Sequence, residues 1–293
     1  MLTRLVDRWV RRRWRSDPAA LAQWSGLEPA TVVTGGSEGI GFEIARRVAG
    51  RGHTVVLVAR RPEPLEKAAA RIRDEFATKA VAVPLDVTRA DAAEMLEAEL
   101  RRHGHYADVL VSSAAMGLSG DYTGQPPAQI DALVELNVRA LSALMRHFLP
   151  GMCARGRGGV LNIASLGGYT PGPYQAAYYA SKAYVIALTE AVAWESRGLG
   201  ARIAVFAPGP VNTRFHARMG AEGSFYRWLI PAPSPSMAAG SAVRWFGWGR
   251  TVITPGLMAP LVAYLMRLTP HPVLVPIVGW LLKPRDFLKN VGQ

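Results

Sequence analysis

The chain has 293 residues, 49% hydrophobic and 19% charged, a balance that excludes a disordered polymer and allows one large α/β domain with appendages. Its single cysteine, Cys153, excludes an internal disulfide and fits a reducing compartment. The formal net charge is +12, and the first 17 residues alone carry six arginines against Asp7 and Asp17.

Residues 1–28 read as a basic N-terminal arm. Leu2, Leu5, Val6, Trp9 and Val10 recur at helical spacing beside the arginines, giving an apolar stripe next to a charged face. Such an arm either docks on its own protein or lies on an anionic membrane surface. No apolar run of signal-peptide length follows, so the expected location is the cytoplasm, with or without peripheral membrane contact. No nucleic-acid-binding module accompanies the charge, so nucleic acid is not an expected partner.

After the turn-like Pro29, Thr31 to Val33 predicts a short buried strand, and Glu43 to Val48 has helical spacing. The rhythm repeats. Strand-like His53 to Ala59 precedes helix-like Leu65 to Phe76, and strand-like Ala80 to Leu85 precedes helix-like Asp91 to Arg102. Asp108 to Val111 is followed by helical Ala128 to Phe148, with Cys153 near that helix end as a small packing residue. Strand Gly159 to Ile163, a helix from about Gln175 to Arg197, and strand Ala201 to Phe206 complete the run. Strands alternating with helices imply right-handed crossovers and a doubly wound, Rossmann-type parallel sheet covered on both faces. The expected α/β domain spans residues 29–255.

Beyond Phe206 the rhythm fails. Residues 208–250 are rich in Pro, Gly, Trp and Phe, with one helix expected around Met237 to Phe246 and a final strand at Thr251 to Thr254. Residues 256–293 form an apolar C-terminal extension in which Arg267 is the only charge between Gly256 and Leu282. Prolines at 260, 270, 272 and 276 interrupt it, so no stretch reaches the ~18–20 residues of a spanning helix. The extension is expected to cap a cleft, to form an oligomer contact or to touch a membrane from one side.

The first strand runs directly into TGGSEGIG (34–41), where Gly35, Gly39 and Gly41 have the G-x-x-x-G-x-G spacing. A pyrophosphate must approach the backbone there without meeting Cβ atoms, and the following helix points free N–H groups at it. An acid at the end of the second strand would bind a ribose 2′-hydroxyl. This chain instead has Arg60 and Arg61, whose guanidinium groups suit a 2′-phosphate, so NADP(H) is expected over NAD(H). Asp86, after the third strand, is placed to meet the adenine. Tyr178 and Lys182 are four residues apart and share one helix face. An ammonium beside a phenol stabilises the phenolate. Ser165 lies just past a strand, at the carboxyl edge where such folds hold ligands.

Taken together, TGGSEGIG, Asp86-Val87, Asn137 in ELNV, Ser165 in NIAS, YYASK (178–182) and PGPVNT (208–213) resemble the short-chain dehydrogenase/reductase family over about residues 30–215. The resemblance implies a cofactor lying along Gly35, Ser37, Gly39, Ile40 and Gly41, then Arg60, Arg61, Asp86, Val87, Ser113 and Ala114. Pro208, Gly209, Val211 and Thr213 would flank the nicotinamide. By the same resemblance Tyr178 would be the general acid, Ser165 would hold the carbonyl oxygen, Lys182 would bond the nicotinamide ribose, and Asn137 would hold a water linking Lys182 to solvent. A homodimer or homotetramer paired through the helices bearing Asn137 and Tyr178 is also implied. One departure stands out. Where the family usually has N-N-A-G, this chain has Ser112-Ser113-Ala114-Ala115, which is expected to alter local stability or nicotinamide placement without abolishing chemistry. The C-terminal half loosely resembles bacterial members akin to hydroxysteroid and 3-ketoacyl reductases. Phe215, Phe225, Tyr226, Trp228 and Leu229, in the expected substrate loop at about 214–236, suit a lipophilic ketone or aldehyde. A secondary-alcohol dehydrogenase and a non-catalytic nucleotide-binding or membrane scaffold are the competing readings.

Overall fold

The computed structural model describes residues 21–256 and 258–283, apart from the side chains of Arg227 and Trp228. Most of the arginine arm therefore lies outside the described residues. The chain runs β1 (Glu28–Thr34), α1 (Gly39–Ala49), β2 (Val55–Ala59), α2 (Pro62–Phe76), β3 (Ala80–Pro84), α3 (Ala92–Arg102) and β4 (His105–Ser112). Next come α4 (Pro127–Val134), a π-helical turn (Glu135–Ala140), α5 (Leu141–Arg155), β5 (Gly159–Ile163), α6 (Ala176–Glu195) and β6 (Arg202–Phe206). Short helices α7 (Phe215–Arg218) and α8 (Phe225–Leu229) lead to α9 (Pro235–Gly247), β7 (Val252–Ile253), α10 (Met258–Leu268) and α11 (His271–Leu282).

The seven strands form one parallel sheet in the order β3-β2-β1-β4-β5-β6-β7. Because side chains alternate along a strand, each β-branched run feeds two cores. Val33, Leu57, Val111 and Phe206 pack with α1, α2 and α9 on one face. Val32, Val56, Leu110 and Val160 pack with α3 and α5 on the other. The doubly wound Rossmann-type fold expected from the sequence is the fold observed. The strand order reverses between β1 and β4, which opens a crevice at their carboxyl ends and sets the place of any ligand.

Two local expectations are corrected. Pro29 lies inside β1 and not in a turn before it. The preceding residue, Glu28, donates its N–H toward β4, to the Gly104 carbonyl, so Pro29 faces the β2 side, where pairing begins only at Thr31. Its missing N–H therefore breaks no ladder bond. The helix expected to end at Phe148 continues through Pro150 to Arg155. Burial of Leu149 and Met152 offsets the one backbone bond Pro150 removes. The apolar extension forms two helices separated at Thr269 and Pro270, with Pro276 inside the second. Among the described residues, no helix is long and apolar enough to cross a membrane.

Leu65 on α2 is fully buried in the sheet-facing core. Leu65→Ala is expected to cost about 2–5 kcal/mol through lost contacts and a cavity. A urea titration checks this, with the midpoint falling and the slope unchanged.

Candidate active site

At the carboxyl edge of β1 the chain turns on Gly35 (φ +66°) and Gly39 (φ +63°), both left-handed conformations that an L side chain strains to adopt. A Cβ on Gly35 would stand 2.8 Å from the Ala114 nitrogen, and one on Gly41 would stand 2.6 Å from the Gly35 carbonyl oxygen. These glycines let the loop after β1 press against the loop after β4. Thr34 closes the same junction, since its Oγ1 accepts from the backbone N–H groups of Ser113 (3.1 Å) and Ala114 (3.2 Å). A Cβ on Gly39 would reach ordinary contact with Thr213, 3.6 Å from its methyl and 3.9 Å from its Cβ, so the glycine loop and Thr213 face each other across the cleft.

A cavity of about 2060 Å³ runs along this edge. A single small ligand needs about 300–1,000 Å³, so there is room for a dinucleotide and a substrate together. Every predicted site residue lines it except Gly41 and Asn137, which stand behind its wall. Arg60 and Arg61 are exposed at one end. Asp86, just past β3 on the far side of β2 from the glycine loop, also lines the cavity. Partial burial disfavours its carboxylate, but hydrogen bonds from Thr88 N–H (3.0 Å) and Oγ1 (2.8 Å), with Arg60 and Arg89 nearby, outweigh burial and hold its pKa below the ordinary value.

At the other end, α6 places Tyr178 and Lys182 one turn apart, both buried. Lys182 Nζ donates to the Ile163 carbonyl at 2.9 Å and stands 5.7 Å from the Tyr178 ring centre. Burial pushes its pKa down to about 8. The Tyr178 phenol departs from the sequence expectation of a stabilised phenolate. Burial pushes its pKa up, a hydrogen bond with the Ser165 side chain opposes the rise, and Tyr226 adds to it. Ser165 also caps the turn after β5, its Oγ accepting from Gly167 N–H at 3.1 Å. The arrangement holds a proton on a buried phenol beside a hydroxyl that can share the same oxygen-binding position, with a buried amine directly below.

Asn137 sits in the π-helical turn and is buried. Its Nδ2 donates to the Met116 carbonyl (2.8 Å) and to Ser181 Oγ (3.0 Å), while its Oδ1 accepts from Met116 N–H (2.8 Å). Ser181 Oγ donates in turn to the Tyr178 carbonyl at 2.7 Å. Both amide hydrogens are therefore spent on clamping the loop after β4 to α6, and a water at this side chain would have to donate to it.

A model of the short chain dehydrogenase family matches residues 29–223. The chain belongs to this family. A 7beta-hydroxysteroid dehydrogenase of Clostridium sardiniense is 31% identical over 212 residues, covering 72% of this chain and 76% of that protein. The solved structure of a short-chain dehydrogenase from Sphingobium yanoikuyae in complex with NADPH superposes with TM-score 0.73 at 30% identity, over 81% of this chain and 92% of that one. A bulky-bulky ketone specific alcohol dehydrogenase from Comamonas testosteroni superposes with TM-score 0.68 at 26% identity, over 83% and 95%. As a short-chain dehydrogenase, the chain is an NAD(P)-dependent oxidoreductase acting on CH–OH and C=O groups.

Several residues of this short-chain dehydrogenase escaped the sequence reading. Thr34 and Ser181 act through side-chain bonds to distant loops, which no local pattern signals. Glu38 in the glycine loop pairs with Arg218 on α7, bridging the two sides of the cleft. His216 Nδ1 lies 2.8 Å from Tyr226 Oη, next to Phe215, whose ring is 5.4 Å from that of Tyr178. Tyr179 lines the cavity, and Tyr174, whose backbone lies in the left-handed region (φ 64°), packs against the apolar cluster that contains Tyr178.

The displaced Lys182 pKa has a measurable consequence. Between about pH 8 and the tyrosine range near 10, the unfolded chain keeps a proton at Lys182 that the folded chain has lost, since the ordinary lysine value is 10.5. Stability from this group therefore rises with pH across that window, before the raised Tyr178 pKa acts in the opposite sense. Urea midpoints taken across the window should rise in the native chain and flatten in Lys182→Met.

Proposed function

We propose that the protein reduces a lipophilic ketone or aldehyde with NADPH, Tyr178 serving as the general acid. The observation that carries this reading is the buried Tyr178 phenol, hydrogen-bonded to Ser165 beside Lys182, at the end of a cavity whose far end carries Arg60 and Arg61. Bound NADPH supplies the hydride. The glycine loop and α1 fit its pyrophosphate, Arg60 and Arg61 its 2′-phosphate, and Asp86 its adenine. Lys182 holds the ribose, and Ser165 holds the carbonyl oxygen against Tyr178. As negative charge grows on that oxygen, Tyr178 Oη gives up its proton to it. Desolvation favours the protonated phenol, which suits an acid waiting for a carbonyl better than a base waiting for an alcohol.

The names of similar proteins support the substrate class: one acts on a hydroxysteroid, and another is specific for ketones with two bulky groups. The substrate end of this cavity is apolar in the same sense, lined by Phe215, Met219, Tyr226, Met266 and Leu281. On this reading residues 29–255 are the catalytic domain, 214–236 the substrate loop, and the extension from 256 its cover. Tyr184 and Trp194 are exposed on α6, which suits pairing into a homodimer or homotetramer through that helix.

Two measurements test the proposal. Tyr178→Phe should lower NADPH oxidation with a lipophilic ketone by about 10²–10⁴-fold while fluorescence titration finds NADPH binding intact; persistent turnover would refute the acid assignment. Arg60→Asp should remove an NADPH-over-NADH preference of about tenfold or more, the loss of a charge-assisted phosphate contact. Equal binding of both cofactors by the native chain would make it a dual-cofactor enzyme.

A further inference from the structure

The C-terminal helices have two apolar faces. Inward, Leu274, Val278 and Leu282 of α11 pack against Leu118, Leu133, Tyr178 and Tyr226, and Ala259, Val262 and Met266 of α10 line the cavity. Outward, Leu261, Tyr264, Leu265 and Leu268 of α10 and Val273, Ile277 and Trp280 of α11 are each about half or more exposed. Their spacings place them on one side of each helix. Both helices lie over the same loop: Arg267 of α10 stands over the Tyr169 ring at 4.7 Å, and the position of a Cβ on Gly279 of α11 is 3.3 Å from Pro173. The outward face is held in place and not frayed. Trp280 stacks on Phe225 at 5.2 Å, and Ser224 Oγ donates to the Leu282 carbonyl.

Exposed apolar surface of this extent marks an interaction site. Charge identifies the partner. From Gly223 to Arg285 the sequence holds six basic residues and no acidic one, half of the chain's net +12. Glu190, the acid that reaches α10, is paired with Arg267 at 2.9 Å. A second copy meeting this face would bring two such cationic segments together, whereas an anionic headgroup layer complements them. Tyr264 and Trp280 are the aromatic types favoured at a membrane–water boundary. Finally, Ile230, Met237 and Met258 are exposed and also line the cavity, so its rim is continuous with the apolar surface.

We infer that the α10–α11 face docks on the surface of an anionic lipid bilayer without spanning it, turning the cavity's apolar rim toward the lipid. A substrate dissolved in the bilayer then enters from that side; this last clause rests on the reductase reading, while the docking itself does not.

The test is sedimentation of the full-length chain with vesicles of phosphatidylcholine, with and without phosphatidylserine, which requires no turnover. The chain should pellet with the anionic vesicles and at least about tenfold less with neutral ones. Leu261→Gln/Leu265→Gln/Ile277→Gln changes side chains already facing water, so its melting temperature and NADPH binding should match the native chain. Its partition to anionic vesicles should fall at least about tenfold, from lost apolar burial. If the triple variant melts early, Leu265→Gln alone repeats the comparison with a fall of about threefold or more. Binding of the folded variant equal to the native chain would overturn the inference by leaving attraction to another basic segment. So would a native chain that ignores vesicles and forms an oligomer that the variant loses.

Discussion

The contact between the loop after β1 and the loop after β4 governs the rest of this structure. Gly35 and Gly41 leave no room for side chains there, and Thr34 Oγ1 gathers two backbone N–H groups from the opposite loop. The reversal of strand order alone would open a crevice between β1 and β4. It is this close backbone approach that gives the crevice a floor of peptide groups and a helix N-terminus, the surface a pyrophosphate requires.

The same junction absorbs the departure at residues 112–115. Ser113 and Ala114 are fastened through their backbone N–H groups, so their side chains are not needed for the fastening. Ser112 bears the cost: its Oγ is buried and has no hydrogen-bond partner among the described residues, a defect of the order of 1–3 kcal/mol. Ala115 lines the cavity. The loop is held on its other side by Asn137, whose amide grips both backbone groups of Met116. Because Asn137 also reaches Ser181 and through it Tyr178, one side chain couples the cofactor loop to the helix carrying the reacting residues. The π-helical turn supplies the extra backbone width at this position.

Burial sets the electrostatics of the reacting end. Tyr178 and Lys182 are placed by α6 as their spacing requires, yet desolvation moves both pKa values toward the uncharged forms. The spacing correctly brings phenol and amine to one face. It carries no information on how much protein covers them, and that coverage comes from Phe215, Tyr226 and α11, segments 37 to 104 residues beyond Tyr178 along the chain.

What the sequence by itself determined is local and periodic. Alternating β-branched runs and helical stripes specify a parallel sheet with two covered faces, the glycine triplet specifies the turn after β1, and the Tyr178–Lys182 interval specifies a shared helix face. Each depends on neighbours a few residues away, where backbone sterics and side-chain period decide the outcome. Tertiary structure alone decided the features that join distant segments: the Thr34 and Asn137 clamps, the Glu38–Arg218 bridge, the Tyr226–His216 pair and the raised Tyr178 pKa. It also divided the apolar extension into a cavity-facing side and an outward-facing side. Composition could say only that this segment was apolar, because which face a helix buries is set by what packs against it.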